Sequence, residues 1–311
     1  MKKPGELKNV AASVRDRLLK ISRDAGQEYQ TLLVRYGIER LLYRLSISEH
    51  RQRFVLKGAQ LFTVWHPVPH RITRDLDLLG FGSCEVADLL AVFRDLCATP
   101  VEDDGLVFDP ASVTGEPIRA EELYVGVRVS FLGKIGGARI PMQVDVGFGD
   151  SLAAPPVEIT FPSLLGMAPP LLRAYRMKTT VDAEKFDAVL SLGILNSRMK
   201  DYFDLWFLSK NFAFDGAQLA ASIQATCTRR EHVLPPSAPV GLTEEFWSDT
   251  SRQAVWNAFW KKSVRLDSKL PLQEVVTFAN EFLLPPMLAV AKEGPFISSW
   301  KPGGPWKGGD A

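Results

Sequence analysis

Residues 71–80 read RITRDLDLLG. From residue 71 to 78 the polar side chains of Arg71, Thr73, Asp75 and Asp77 alternate with those of Ile72, Arg74, Leu76 and Leu78, and all but one of this second set are apolar. Such alternation is typical of a β-strand, whose successive side chains point to opposite faces of the sheet. It places Asp75 and Asp77 together on one face and Leu76 and Leu78 on the other, the core face. We therefore predict a strand that carries two carboxylates side by side and ends at its glycines.

Two carboxylates so close together repel each other unless a cation or a basic group lies beside them. Magnesium suits the pair, because it is held by one or two carboxylates while water and phosphate oxygens fill its other positions. Arg71 and Thr73 share the same face, and a guanidinium and a hydroxyl group suit phosphate oxygens. A solvated turn is the alternative interpretation, and for a lone Asp-x-Asp it is the commoner one.

A second alternating segment, residues 139–148, supplies a third carboxylate. Asp145 faces away from its apolar neighbours, which are predicted to point to the core: Ile140, Met142, Val144 and Val146. A charge within such a strand needs a partner. If this strand lies beside the first, three carboxylates converge in the arrangement used for two-metal phosphoryl transfer.

Around these strands the periodicity predicts an α+β fold, with a core of mixed β-sheet flanked by helices and then a helical domain. The core is expected over residues 1–160, the helical domain over 161–300 and a disordered tail over 301–311. A turn region rich in Asp, Gly and Pro is predicted between residues 99 and 124. The other predicted strand covers 124–131, and helices are predicted over 6–50, 85–99, 180–192, 197–210, 215–228, 244–264 and 272–282.

Composition excludes several classes of protein. The formal net charge is +1, so global charge does not indicate a nucleic-acid partner, and the three cysteines form no zinc-type spacing. The sequence holds no His-Glu-x-x-His, phosphate-binding P-loop or dinucleotide-binding glycine motif. We also find no signal sequence and no apolar run of membrane-spanning length. We expect a cytoplasmic protein with no membrane partner and no DNA partner.

A second group of charged residues lies in the helical half. Thr180 is predicted to cap a helix that contains Lys185, which leaves Lys178 just outside it. Lys200 and Asp204 are four apart in the next helix, as in a simple surface ion pair. On spacing alone, Lys185 is interpreted equally well as a surface lysine.

Read in order, these segments resemble the AbiEii/AbiGii nucleotidyltransferase toxins of the DNA polymerase β-like superfamily. The resemblance covers about residues 35–210. It rests on the following segments: Lys57-Gly58-Ala59, residues 71–77, Asp145, Ala183-Glu184-Lys185, Leu192-Gly193, residues 196–201 and Asp204-Leu205. The stretch 196–201 is the most specific of them.

The resemblance implies roles for individual residues. Asp75 and Asp77 would bind two Mg²⁺ ions and Asp145 would be the third metal-binding and catalytic carboxylate, while Lys185 would contact the nucleotide phosphates. Asp201 would belong to the family's late essential acidic motif, with Asp204 as a second candidate. The remaining substrate-side positions are Lys57, Gly58, Arg71, Thr73 and Lys200. Where the superfamily often has Gly-Ser, this chain has Gly58-Ala59, so the serine hydroxyl is missing.

The implied reaction is Mg²⁺-dependent transfer of a nucleoside monophosphate from an NTP to an acceptor hydroxyl of RNA, specifically tRNA. The implied role is that of the toxin of a toxin–antitoxin or abortive-infection system with a separate cognate antitoxin. Two alternatives stay open. The same core could modify a small molecule of the antibiotic type or a protein, or the chain could be a non-catalytic module that binds a partner.

Overall fold

The computed structural model describes residues 9–66, 71–120, 124–149, 155–176, 178–264, 266 and 268–308. The chain forms two compact units. Unit 1 comprises Met1–Gly149 and Pro156–Tyr175, and unit 2 comprises Asp150–Pro155 and Arg176–Ala311. The boundary was expected at residue 160, whereas the division near residue 175 follows the strand Leu171–Ala174, which belongs to the sheet of unit 1.

Unit 1 is built on a seven-stranded mixed sheet. Its strands are β1 (Phe54–Lys57), β2 (Leu76–Gly80), β3 (Val107–Ala120), β4 (Tyr124–Ile135), β5 (Ala138–Phe148), β6 (Val157–Thr160) and β7 (Leu171–Ala174). They lie in the order β3-β4-β5-β2-β1-β7-β6. The pairs β2–β5 and β1–β7 are parallel, and the other four pairs are antiparallel.

The prediction of turns between residues 99 and 124 is wrong for β3, which runs from Val107 to Ala120. The prolines Pro110 and Pro117 suggested a loop, but β3 is the edge strand of the sheet. A proline at an edge removes no ladder hydrogen bond from the interior, and the register shift between Asp109 and Thr114 takes up the irregularity.

Four helices accompany the sheet: α1 (Val10–Asp24), α2 (Tyr29–Ile47), α3 (Leu61–Trp65) and α4 (Val86–Ala98). Helix α2 lies on the face formed by Ile140 and Met142, and a Cβ placed on Gly37 would come within 2.7 Å of Met142 Sδ. The predicted alternation is confirmed, since the side chains of Ile140, Met142, Val144 and Val146 are buried. Asp145 is therefore on the opposite, less buried face of β5.

Unit 2 is mainly helical, with α5 (Lys178–Leu192), α6 (Met199–Asn211), α7 (Gly216–Arg229), α8 (Glu244–Ser248), α9 (Thr250–Ser263) and α10 (Leu272–Ala291). Helix α5 begins at Lys178, so the predicted cap at Thr180 is wrong and Thr180 lies inside the helix. The single helix predicted over 244–264 is interrupted at Asp249. This residue is extended, and its side chain accepts a hydrogen bond from the backbone N–H of Arg252 at the start of α9.

Residues 298–308 form a hairpin, so the expected disordered tail does not extend to them. Strands β9 (Ser298–Trp300) and β10 (Trp306–Gly308) pair with each other, and β9 also pairs with β8 (Phe214–Asp215). The aromatic rings hold this hairpin, because Trp300 and Trp306 both contact Phe282 of α10. The glycines and prolines between the strands suggested disorder, whereas Trp300 is buried and Trp306 stacks on Phe282, and these contacts order the segment.

Among the described residues, α10 is long and apolar enough to cross a membrane, by length and composition alone. The expectation that no apolar run reaches this length is therefore wrong. Core helices of soluble proteins pass the same test, and one face of α10 packs within unit 2 through Val275, Val276, Phe282 and Met287.

Candidate functional site

Four charged residues form a row across four neighbouring strands of unit 1. Asp77 of β2 is the register partner of Asp145 on the parallel strand β5. On the far side of β2, Asp77 is opposite Lys57 of β1, and on the far side of β5, Asp145 is opposite Arg128 of β4. Register partners project to the same face of a sheet, and neighbouring strands are about 4.8 Å apart. We call Arg128, Asp145, Asp77 and Lys57 the charged row.

Asp145 makes a two-point ion pair within this row. Arg128 Nε donates to Asp145 Oδ1 at 2.9 Å, and Arg128 Nη2 donates to Asp145 Oδ2 at 2.8 Å. The hydrogen bond with Asp145 raises the pKa of Arg128 above its ordinary value. Such a paired geometry fixes the plane of the carboxylate as well as its position. Arg128 was not singled out from the sequence, although the strand predicted over residues 124–131 already placed its side chain on the other face of the sheet from Val127 and Val129.

Asp75 precedes β2 directly. The strand predicted over residues 71–80 thus begins later than expected, at Leu76. Two amide side chains hold Asp75: Gln60 Nε2 donates to its backbone oxygen at 3.0 Å, and Gln143 Nε2 lies 3.5 Å from its Oδ1. Gln143 belongs to β5, the strand that also carries Asp145, so the contact with Gln143 places Asp75 beside that strand. Sequence reasoning gave neither glutamine a role, because both partners are remote in the chain.

Gly58 follows β1 at the point where the chain passes the Asp77 carboxylate. Its φ of +67° is in the left-handed region, and a Cβ built on it would lie 2.8 Å from Asp77 Cγ. Both facts require glycine here. Lys57, immediately before it, is only 7% exposed. The structure therefore brings Lys57 and Gly58 next to Asp77, and their contact with substrate stays a prediction.

Arg71 and Thr73 are also adjacent in the structure. Arg71 is buried, and its Nη1 donates to Thr73 Oγ1 at 3.0 Å and to the Ile72 carbonyl at 3.3 Å. Their expected contact with substrate phosphate stays a prediction.

The donor chemistry of unit 1 fits a divalent cation of the hard, oxygen-preferring kind. Asp77 and Asp145 offer two carboxylates in register, which is as many as magnesium takes from protein when phosphate and water supply the rest. Each carboxylate oxygen has two lone pairs, so Asp145 keeps acceptor capacity beyond its bonds to Arg128. Within the described residues, no group of three His, Cys, Asp or Glu side chains gathers as a metal site. Binding of the cation by all three aspartates stays a prediction.

In unit 2, Lys185 of α5 lies between two buried carboxylates of α6. Its Nζ is 2.9 Å from Asp201 Oδ1 and 2.7 Å from Asp204 Oδ2, and its side chain is 11% exposed. Arg198 Nε donates to the other oxygen of Asp201 at 2.7 Å. The interpretation of Lys185 as a surface lysine is therefore wrong. Asp204 pairs with Lys185, a contact between two helices that the spacing of Lys200 and Asp204 did not indicate.

The electrostatics of this cluster separate its acids. Burial raises the pKa of Asp201, but the nearby Lys185, Arg198 and Lys200 outweigh it, and the net pKa lies below the ordinary value. Asp182, one turn before Lys185 on α5, behaves in the opposite way. Its complete burial raises its pKa well above the ordinary value, despite the nearby Lys185. Neither carboxyl oxygen of Asp182 has a hydrogen-bond partner among the residues that the structure describes.

Lys178 belongs to the same helix as Lys185 but has a different environment. Its Nζ lies 4.6 Å from the centre of the Phe212 ring, and burial lowers its pKa. Lys200 is exposed on α6 and contributes to the field at Asp201. We call Lys185, Asp201, Asp204, Arg198 and Asp182 the Lys185 cluster. Sequence reasoning gave Arg198 and Asp182 no role in it.

Comparison with known proteins places the chain. A family model described as "Nucleotidyl transferase AbiEii toxin, Type IV TA system" matches residues 40–278. A solved H. pylori protein described as a candidate nucleotidyltransferase is 14% identical, with a TM-score of 0.49, and the match covers 86% of this chain and 96% of that one. JHP933 from Helicobacter pylori is 15% identical, with a TM-score of 0.46 and coverage of 86% and 94%. Among curated proteins, none matches the chain.

The family model spans well over half of the chain, and it contains the charged row as well as the Lys185 cluster. The resemblance noted from the motifs is thereby confirmed. The chain belongs to the AbiEii family, and it is a nucleotidyltransferase toxin of a type IV toxin–antitoxin system.

Proposed function

We propose that the protein transfers a nucleoside monophosphate from an NTP to a hydroxyl group of RNA, specifically tRNA, in a reaction that depends on Mg²⁺. The observation that carries this proposal is the register of Asp77 with Asp145 on adjacent parallel strands, with Asp75 just before β2. In the reaction, an acceptor oxygen forms a bond to the α-phosphorus of the NTP. The bond from that phosphorus to the bridging oxygen breaks, and pyrophosphate leaves.

Asp75, Asp77 and Asp145 would hold the cations. A bound divalent cation supplies charge neutralisation to the triphosphate and to the attacking oxygen. The chain itself contributes fixed positions: Gln60 and Gln143 hold Asp75, the backbone of Gly58 borders Asp77, and Arg128 orients Asp145. The acceptor hydroxyl would lose its proton near Asp145. Positioning of this kind is the main contribution that a protein makes to phosphoryl transfer.

Lys185 would contact the phosphates of the nucleotide. Within unit 2, Asp201 and Asp204 hold its ammonium group in one place. Asp201 is in turn held by Arg198. This support assigns Asp201 and Asp204 the role of positioning Lys185, with Lys200 as an exposed basic residue on the same helix.

The biological setting follows from the family. A toxin of a type IV system has an antitoxin partner, which we propose to be a separate protein from the same operon. We propose that the toxin acts in the cytoplasm during abortive infection, where NTPs, Mg²⁺ and tRNA are all present.

The test uses the full-length protein with each of the four NTPs, labelled in separate reactions at the α- or the γ-phosphorus, together with Mg²⁺ and total RNA. We expect α-label, and no γ-label, in the tRNA band. Asp77→Asn should abolish the transfer. Asp109→Asn is the control, because the Asp109 carboxylate is on β3, pairs with Lys134 and lies outside the charged row, and this variant should keep full transfer activity. Transfer of γ-label would show that the protein transfers the terminal phosphoryl group of the NTP and not a nucleoside monophosphate. Label in a small molecule or a protein instead of RNA would overturn the acceptor.

A growth assay separates catalysis from mere binding. If the Asp77→Asn and Asp145→Asn proteins inhibit growth as strongly as the parent, the chain acts by binding a partner and the catalytic proposal fails.

A further inference from the structure

The charged row has an order of signs that bears on cation binding. Across β4, β5, β2 and β1 it reads positive, negative, negative, positive, as Arg128, Asp145, Asp77 and Lys57. Two adjacent carboxylates would repel each other if they were alone. Here each has a basic register partner on its outer side, so the row is balanced in charge without a metal ion.

We propose, on the basis of the function proposed above, that Arg128 keeps the divalent-cation affinity of the nucleotide-free protein low, so that the cation enters together with the triphosphate. The proposed cation site also includes Asp75, whose negative charge acts on Arg128. Arg128 offsets part of the negative charge of this site, so a cation binds there less readily than it would without Arg128. Cation binding is favoured once a nucleotide brings about four negative charges. Arg128 thus makes cation binding conditional on nucleotide binding.

Arg128 suits this role better than the other base of the row. Its side chain is 38% exposed, and that of Asp145 is 21% exposed, so the pair lies at the surface of the sheet. Arg128 uses Nε and Nη2 on Asp145, and Nη1 is the remaining end of the guanidinium fork. Lys57 is 7% exposed, so its environment is far more restricted. A guanidinium at the surface can pair with both a carboxylate and a phosphate.

Coulomb's law gives the size of the effect. A doubly charged ion about 6 Å from a single positive charge, in a water-like dielectric appropriate to exposed groups, loses about tenfold in affinity. The loss shrinks as salt concentration rises, because the charges are screened. Removal of the positive charge should therefore strengthen cation binding to the free protein by about this factor, which is the opposite of what loss of a simple positioning residue would do.

The experiment is a titration of the full-length protein with Mn²⁺, in which free Mn²⁺ is measured by electron paramagnetic resonance, without nucleotide and with a non-hydrolysable α,β-methylene NTP. The variants are Arg128→Gln, Arg128→Lys and Lys134→Gln. Lys134 is the matched control because it is on the same strand and pairs with Asp109, outside the charged row. Circular dichroism and thermal unfolding confirm that each variant is folded.

We expect Arg128→Gln to bind Mn²⁺ about tenfold more tightly than the parent without nucleotide, and to bind the Mn²⁺–nucleotide complex more weakly. Arg128→Lys keeps the charge and should stay within about twofold of the parent without nucleotide, as should Lys134→Gln. Equal or weaker Mn²⁺ binding by Arg128→Gln in the absence of nucleotide overturns the inference, and so does absence of Mn²⁺ binding in every variant. The transfer assay reports separately on the proposed function, so an active parent enzyme with unchanged Mn²⁺ affinities would refute this inference alone.

Discussion

Asp77 and Asp145 are register partners on adjacent parallel strands, although α4, β3 and β4 separate them in the chain. In a parallel pair the side chains of partners emerge on the same face, so the two carboxylates share a surface without any turn between them. The relative position of the two carboxylates therefore depends on the pairing of β2 with β5 as well as on their immediate neighbours Gly58 and Arg128. Perturbing the surroundings of Asp77 should consequently affect activity more than folding.

Gly58→Ala tests the close approach of β1 to Asp77. The added methyl group would overlap the Asp77 carboxylate, so the carboxylate must shift. We expect nucleotidyl transfer to fall about 10²-fold, the scale of effect when a reacting group is misplaced by about 1 Å. The matched control is Gly82→Ala, which also has a positive φ but no atom within 4 Å of the added Cβ. It should cost about 1 kcal/mol in urea unfolding and leave transfer unchanged. Equal activities of the two variants would contradict the role given to Gly58.

The Lys185 cluster makes a prediction about stability. Removal of Lys185 leaves Asp201 and Asp204 buried without their shared cation, so Lys185→Met should lower the free energy of unfolding by about 3–5 kcal/mol. Adding Asp204→Asn to Lys185→Met should recover part of the loss, because one of the two buried charges is then gone. Lys261→Met, at an exposed position of α9, should change stability by less than about 0.5 kcal/mol. Denaturant titration measures the parent, these three variants and Asp204→Asn alone, and strict additivity in the double variant would argue against the cluster.

Asp182→Asn should change how stability depends on pH. The folded state holds the proton of Asp182 more tightly than the unfolded state does, because burial raises the pKa of this group. Its contribution to stability is therefore complete below the unfolded pKa of about 4, and it is lost as pH rises toward the folded pKa. Asparagine stays neutral, so the variant should gain stability relative to the parent as pH is raised from 4.5 to 8. The same slope in both proteins would refute this assignment.

Asp201 provides the internal control for that experiment. Its pKa is lowered in the folded state, so its contribution is present above the unfolded pKa and is lost as pH falls through the folded pKa. The loss of stability at acidic pH, below about 4, should thus be the same in the parent and in Asp182→Asn. Exposed Glu281→Gln, on α10, should follow the parent over the whole range.

The terminal hairpin should contribute strongly to the stability of unit 2. Trp300 is 1% exposed, its Nε1 donates to the Ser209 carbonyl at 2.7 Å, and its ring contacts Phe282. Trp300→Ala should therefore lower the free energy of unfolding by about 3–5 kcal/mol. Ile297→Ala, three residues earlier and exposed, should change it by less than about 0.5 kcal/mol. A small effect of Trp300→Ala in denaturant titration would mean that the hairpin is not part of the core.

The sequence supplied the local geometry of the site and left its long-range pairing undetermined. Alternation in residues 139–148 correctly placed Asp145 opposite the buried face, because a period of two is a property of one strand. The partner of Asp145 was missed, because Arg128 is opposite it only through the register of β4 with β5. The same holds for Lys185. Its partners Asp201 and Asp204 are on another helix, so no regular spacing in the sequence indicates the contact.

Errors in the predicted elements have similar causes. Prolines suggested turns where an edge strand tolerates them, and glycines near residue 303 suggested disorder where Trp300 and Trp306 pack against Phe282 of α10. Composition describes the preference of a segment taken alone. Burial against a remote surface overrides it, and that surface is known only after folding.

The tight turn between β4 and β5, at Gly136 and Gly137, has a consequence for how this toxin can be silenced by mutation. Because side chains alternate, a slip of β5 by one residue would send Asp145 into the apolar layer and bring Val144 or Val146 to the outer surface. Inserting or deleting one codon between this turn and Asp145 would thus abolish activity without replacing any residue of the charged row. Loss-of-function alleles from selection for survival should therefore include such frame-preserving changes in β5.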